Sequence, residues 1–84
     1  MLLEYILMLM KKILKDFSED KAFKIVINIH EPNVYEIGII KINLNENYFW
    51  FFYGKNQEID AIIPYSSIFA IYIEREIVKI KLKY

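Results

Sequence analysis

Residue types that could carry out chemistry are scarce in this chain. His30 is the only histidine and cysteine is absent, so the sequence predicts neither a metal site nor an activated nucleophile. Asp60 and Glu74 fall on predicted strands and would form an acid/base pair only if the fold brought them into one cleft. Gly38 and Gly54 are the only glycines, which excludes a glycine-rich phosphate-binding loop. We therefore expect a protein that is not an enzyme and has no cofactor.

Six consecutive aromatic residues at 48–53 are the most unusual feature of the sequence. On a strand, alternation places Tyr48, Trp50 and Phe52 on one face and Phe49, Phe51 and Tyr53 on the other. One interpretation is that one face fills the core while a helix covers the other. A second is that part of one face lines a groove for an extended peptide. A third is base stacking, which needs flanking basic residues, and only Lys55 is near in the sequence.

The segment from Leu2 to Phe17 has the apolar spacing of an amphipathic helix. One stripe contains Leu2, Ile6, Leu9, Ile13 and Phe17, and the adjacent stripe contains Leu3, Leu7, Met10 and Leu14. This apolar arc is wider than one sheet can cover, so we predict a homodimer whose interface contains Leu3, Leu7, Met10 and Leu14. The alternative is a helix whose whole apolar arc faces the core.

Beyond the turn signals at 18–20, the apolar period changes to two. The pattern predicts strands at 23–29, 37–44, 48–53, 59–63, 68–74 and 78–84, and it makes His30 a loop residue beside Pro32. The predicted fold is α+β in one domain, residues 1–84, with a helix within 1–20 and a small, strongly curved antiparallel β-barrel in 21–84. Three alternating lysines, Lys79, Lys81 and Lys83, indicate a soluble edge strand or a small site for an acidic partner or a nucleic-acid backbone.

Composition limits the cellular setting. Lysine plus arginine balance aspartate plus glutamate at 11 each, so the overall charge gives no attraction to nucleic acid or anionic lipid. The absence of cysteine favours a reducing compartment, and we expect a cytoplasmic protein. The run from Met1 to Met10 lacks the features of a secretion signal and is too short to cross a bilayer. A surface-bound amphipathic helix, with Lys11, Lys12 and Lys15 near lipid headgroups, is a further alternative.

The segment from Ile63 to Glu76, with its Ala-Ile-Tyr core at 70–72 before Arg75, resembles the signature segment of the stringent starvation protein B (SspB) family. The Asn-Glu-Asn turn at 45–47, which leads into an aromatic strand ending Tyr53-Gly54, and the N-terminal helix are similar to the same family. The resemblance implies an adaptor for the ClpXP protease with an Sm-like fold. Such adaptors dimerise through the helix and hold degradation-tagged polypeptides in a groove.

The resemblance places the peptide groove at Tyr35, Phe51, Tyr53 and Val78. Phe51 stands where a small groove-floor residue is expected, and the segment before Gly38 is shorter than in typical relatives. Relatives carry a long flexible tail that docks on ClpX, whereas here the residues from Val78 to Tyr84 alternate like a strand. We expect an extended peptide or tagged protein as partner, and neither nucleic acid nor a membrane. The competing interpretation is an Sm-like RNA-binding protein, which would form rings rather than dimers.

Overall fold

The structure, a computed structural model, describes residues 2–54 and 61–84. Helix α1 (Leu2–Glu19) precedes strands β1 (Lys24–Glu31), β2 (Val34–Ile42), β3 (Tyr48–Phe52) and β4 (Ala61–Pro64), a 3₁₀ turn (Tyr65–Ser67), and strands β5 (Ile68–Glu74) and β6 (Ile77–Leu82). The described strands form one sheet in the order β4-β3-β2-β1-β6-β5. This confirms an α+β chain with a strongly curved sheet.

Sheet curvature follows from the connection between its two edges. β4 and β5 lie at opposite edges, which would be about 24 Å apart in a flat sheet with five spacings of about 4.8 Å. The connecting turn is three residues long, and a chain of that length reaches at most about 14 Å between the flanking residues. The sheet therefore curls into a half-barrel that brings its edges towards each other.

The prediction of a fully antiparallel sheet is wrong at one position. β1 and β6 pair in parallel, with Ile25 opposite Val78 and Ile27 opposite Ile80, whereas the other strand pairs are antiparallel. Because β6 lies between β1 and β5, it is an internal strand and not the predicted edge strand. The sheet is mixed, and the lysines of β6 do not protect an edge.

Buried Asn28 marks the end of the parallel pairing. Its side-chain oxygen accepts a hydrogen bond from the Leu82 N–H at 2.7 Å, and its amide donates to the Pro32 carbonyl at 3.0 Å. The Tyr84 hydroxyl donates to the Asn28 carbonyl at 2.7 Å. One polar side chain thus joins β1, β6 and the turn between β1 and β2.

Strand limits differ from the predictions by a few residues. β2 begins at Val34 rather than 37, β6 spans Ile77–Leu82 rather than 78–84, and the helix extends through Glu19. His30 lies within β1 and not in a loop. Residues 59 and 60 of the predicted fourth strand lie outside the described residues.

The core fills the concave side of the sheet. It consists of inward side chains from five of the six described strands, β5 excepted, together with one helix residue and one residue of the 3₁₀ turn: Leu14, Ile25, Ile27, Ile40, Phe49, Phe51, Ile63, Tyr65, Val78, Ile80 and Leu82. Helix α1 covers this side, with Leu7, Met10 and Phe17 packed against the same cluster. At the end of the helix, Phe17 meets Phe23 edge-on at 4.6 Å, which fixes the turn into β1.

Candidate binding surfaces

The four residues predicted to line a peptide groove do not come together at the surface. Phe51 and Val78 are both 0% exposed and belong to the core, so the groove predicted at these residues is wrong. Tyr53 is half-buried on the inward side, with its ring 5.2 Å from that of Phe51. Tyr35 is half-buried on the outer side, where its ring lies 4.6 Å from Lys79 Nζ. The sheet separates the two tyrosines.

The predicted alternation of the aromatic strand is correct, but its environment differs from the expectation. Phe49 and Phe51 are buried, whereas Tyr48, Trp50 and Phe52 are half-buried at outward positions. The interpretation in which the helix covers the second aromatic face is wrong, because α1 packs on the side of Phe49 and Phe51.

The predicted dimer residues mainly face the core of their own chain. Leu14 is fully buried, and Leu7 and Met10 pack against the core cluster. The side chain of Leu3 lies outside the described residues. The placement of Leu14 in an intermolecular interface is therefore wrong.

The other side of α1 presents a separate apolar surface, which we call the outer helix face. It consists of five exposed residues: Tyr5, Ile6, Met8, Leu9 and Ile13. Three of these, Ile6, Leu9 and Ile13, belong to the first stripe read from the sequence. The apolar arc is thus divided, with one part in the core and the other exposed.

An apolar groove lies between the first half of α1 and the 3₁₀ turn, and we call it the helix groove. Its volume is about 590 Å³. Ile6, Leu7, Met10 and Tyr65 supply its apolar lining, and Glu4, Asn47, Ser66 and Lys83 supply polar groups. Two backbone hydrogen bonds stabilise the edge of the groove. The Tyr65 N–H donates to the Asn47 carbonyl at 3.1 Å, and the Lys83 N–H donates to the Ser67 carbonyl at 2.8 Å.

Beside this groove, buried Lys11 braces the 3₁₀ turn. Its Nζ donates to the Leu44 carbonyl at 3.4 Å and lies 5.3 Å from the centre of the Tyr65 ring. Burial raises the pKa of Tyr65 to about 12, and no hydrogen-bond partner for its hydroxyl is present among the described residues. Because Lys11 is buried, it cannot face lipid headgroups, as binding of the helix to a membrane surface would require. Lys15 forms an ion pair with Glu19.

Comparison of the chain with protein-family models, curated proteins and solved structures finds no match. A function must therefore be inferred from the surfaces of the molecule. Within 2–54 and 61–84, no helix is long and apolar enough to cross a membrane, and no three histidine or acidic residues cluster as a metal site. His30 is exposed and packs edge-on against Tyr53 at 5.4 Å. Asp60 lies outside the described residues, so the structure does not test whether it shares a cleft with Glu74.

Sequence reasoning missed the pairing of lysines with aromatic rings on the outer side of the sheet. Lys41 is the register partner of Trp50, and its Nζ lies 5.5 Å from the centre of the Trp50 ring. Lys81 Nζ lies 5.6 Å from the centre of the Phe69 ring. A search for basic residues near the aromatic run in sequence finds only Lys55. The sheet instead brings Lys41 beside Trp50 from a neighbouring strand, a contact that the predicted hairpin of β2 and β3 could have revealed.

Proposed function

We propose that this chain is a non-enzymatic protein-binding domain that holds an extended polypeptide in the helix groove. The observation that carries this function is the continuity of the helix groove with the outer helix face through Ile6. Ile6 is 52% exposed and lines the groove, while Leu7 and Met10 form its apolar wall. An apolar side chain of a bound polypeptide would replace water along this wall.

Polar groups at the same groove suit a peptide better than a purely apolar ligand. Asn47 and Ser66 offer side-chain donors and acceptors for a peptide backbone, and Glu4 and Lys83 carry opposite charges. One or two apolar anchors with a few backbone hydrogen bonds give micromolar binding, about −8 kcal/mol. Selectivity would then come mainly from the shape of the anchoring side chain.

The resemblance to the SspB family extends this proposal to a biological role. In that role the bound segment is a degradation tag, the recipient is the ClpX unfoldase, and the adaptor acts in the cytoplasm as a homodimer. The helix followed by a curled sheet supports an Sm-like description at the level of shape, although the parallel β1–β6 pair departs from an antiparallel barrel. The exposed outer helix face supports the dimer.

A pair of matched variants tests the groove. Ile6→Asp places a charge at the groove, whereas Ile62→Asp places one at a similarly exposed position on β4, with 60% exposure against 52%. Binding of fluorescently labelled tag-like peptides would be followed by anisotropy. We expect Ile6→Asp to weaken binding by at least about tenfold and Ile62→Asp to leave it unchanged. Equal affinities for both variants and the original chain would overturn the assignment of the groove.

Delivery to a protease is tested separately. A tagged substrate would be incubated with ClpXP, with and without the chain, at a substrate concentration below saturation. Faster degradation with the original chain but not with Ile6→Asp would support the adaptor role. Peptide binding without any change in degradation would limit the function to binding.

A further inference from the structure

The outer side of the sheet concentrates contacts between lysines and aromatic rings. Lys79 with Tyr35, Lys41 with Trp50, and Lys81 with Phe69 bring each ammonium group within 4.6–5.6 Å of a ring centre. Ammonium groups at such distances are attracted by the ring, and three contacts of this kind lie on one face of an 84-residue chain. We call these six residues the lysine–aromatic face.

Charge on this side of the sheet is strongly uneven although the whole chain is neutral. Among outward register positions of the described strands, the charged residues are Lys24, Lys41, Lys79, Lys81 and Glu74. Four cations against one anion give a local positive potential that the overall composition conceals. Since β6 is internal, protection of a sheet edge does not explain Lys79 and Lys81.

A shallow cavity at one end of the lysine–aromatic face has room for a planar group. It lies between Tyr35 and Tyr72, has a volume of about 550 Å³, and includes Val26 in its lining. Lys79 and Arg75 bring two cations to its walls, and Glu74 brings one anion. Lys79 is the register partner of Tyr72 and also lies over Tyr35, so it stands between the two rings.

We propose that the lysine–aromatic face, together with Tyr72, binds single-stranded nucleic acid. Unpaired bases stack on Tyr35, Tyr72 and Phe69, and the lysines neutralise neighbouring phosphates. The exposed rings of Phe69 and Tyr72, 64% and 47% exposed, favour nucleic acid over an acidic polypeptide. An acidic polypeptide would need the lysines but would gain little from these rings. A duplex cannot offer its base faces to isolated side chains, so the ligand is single-stranded.

Recognition on this face is largely independent of base sequence. Lysine acts as a point charge and lacks the planar fork that reads guanine edges, whereas every base has a face on which an aromatic ring can stack. This site differs from the loop-borne pocket that an Sm-like RNA-binding protein would use. It also lies across the sheet from the helix groove, so either site can be present without the other.

Fluorescence anisotropy with a short labelled oligouridine at low salt tests this surface. We expect Tyr72→Ala to weaken binding about tenfold through lost stacking, and Lys79→Ala to reduce the slope of log affinity against log salt by about 0.7. Tyr5→Ala and Lys12→Ala are matched controls on the exposed side of α1 and should leave affinity and slope unchanged. A self-complementary duplex of similar length should bind more weakly than the single strand.

Each alternative gives a distinct result. Absence of binding at low salt, or equal losses in the helix controls, would overturn the inference. Polyglutamate binding that is as tight as oligouridine binding and insensitive to Tyr72→Ala would identify a face for acidic proteins instead. Self-association that Tyr72→Ala abolishes would show that a second copy covers the face. Because Tyr72 is 47% exposed, circular dichroism should confirm that its variant folds.

Discussion

The ring of Phe51 packs directly against the backbone of Gly38. A β-carbon at position 38 would lie 2.6 Å from Phe51 Cε1 and 2.4 Å from the Phe52 carbonyl oxygen. Such distances are far shorter than ordinary van der Waals contact, and one of the two atoms belongs to the backbone of the adjacent strand. Gly38 is therefore required by the close approach of β2 and β3.

Gly38→Ala should destabilise the fold by about 1–3 kcal/mol, because β3 must move to accept the methyl group. Denaturant unfolding monitored by circular dichroism measures this change. Phe51→Leu removes the ring but not the carbonyl clash, so the double variant should recover only part of the combined loss. Full additivity of the two single losses would show that the ring and the glycine are not coupled.

The local elements were predictable because their signals are local. The apolar stripe that contains Leu14 predicts the helix, and alternation along 48–53 predicts that Phe49 and Phe51 share one face of β3. Because both faces of this strand are apolar, the pattern does not predict which one is buried. Strand order was not predictable from these periods, since the parallel pairing of β1 with β6 depends on contacts distant in sequence. The edge role assigned to Lys79 failed for the same reason.

The predicted peptide groove failed because alternation identifies a face but not what covers it. Phe51 lies on the expected side of its strand, yet helix α1 closes that side and makes it core. The contact between Lys41 and Trp50 was missed because the two residues lie on different strands and are distant in sequence. The binding surfaces therefore depend on how the strands and the helix assemble, which the sequence pattern does not specify.

Asn28 should tolerate no apolar replacement. Asn28→Leu leaves the Leu82 N–H and the Pro32 carbonyl without their partner and should cost about 2–3 kcal/mol in the free energy of unfolding. Thermal unfolding of Asn28→Leu should be compared with that of Tyr84→Phe. The tyrosine variant removes one hydrogen bond of the hydroxyl and should cost about 1 kcal/mol. A loss in Asn28→Leu no larger than that in Tyr84→Phe would contradict a joining role for Asn28.

Tyr65 should make the fold sensitive to alkali. Its folded pKa of about 12 exceeds the ordinary value of 10.0, so the folded state retains a proton that the unfolded state loses between these values. Stability should fall as pH rises from about 10 to about 12, and Tyr65→Phe should remove this component. At neutral pH the same variant should be unchanged or more stable by up to about 1 kcal/mol, because no partner of the hydroxyl is lost among the described residues. Identical alkaline unfolding of both proteins would contradict the burial of this hydroxyl.

Leu9→Glu should separate dimerisation from folding. Leu9 lies on the outer helix face and is exposed, whereas Leu7 packs against the core and is unsuitable for this test. Sedimentation equilibrium at high micromolar concentration should show a dimer for the original chain and a folded monomer for Leu9→Glu. Lys12→Ala, an exposed change on the same helix, is the control and should remain dimeric. An original chain that sediments as a monomer would exclude this interface.

Arg75 offers a stabilising substitution in the hairpin between β5 and β6. It has φ of 56°, and it is the only non-glycine residue with positive φ in the part of the chain that the structure describes. An L-residue in this left-handed region costs about 1–2 kcal/mol, whereas glycine adopts it freely but loses more chain entropy on folding. Arg75→Gly should therefore raise the free energy of unfolding by about 0.5–1 kcal/mol in denaturant titrations. Glu76→Gly, at the next position and without positive φ, should lower it by a similar amount. If both variants lose stability equally, contacts of the Arg75 side chain outweigh the backbone strain.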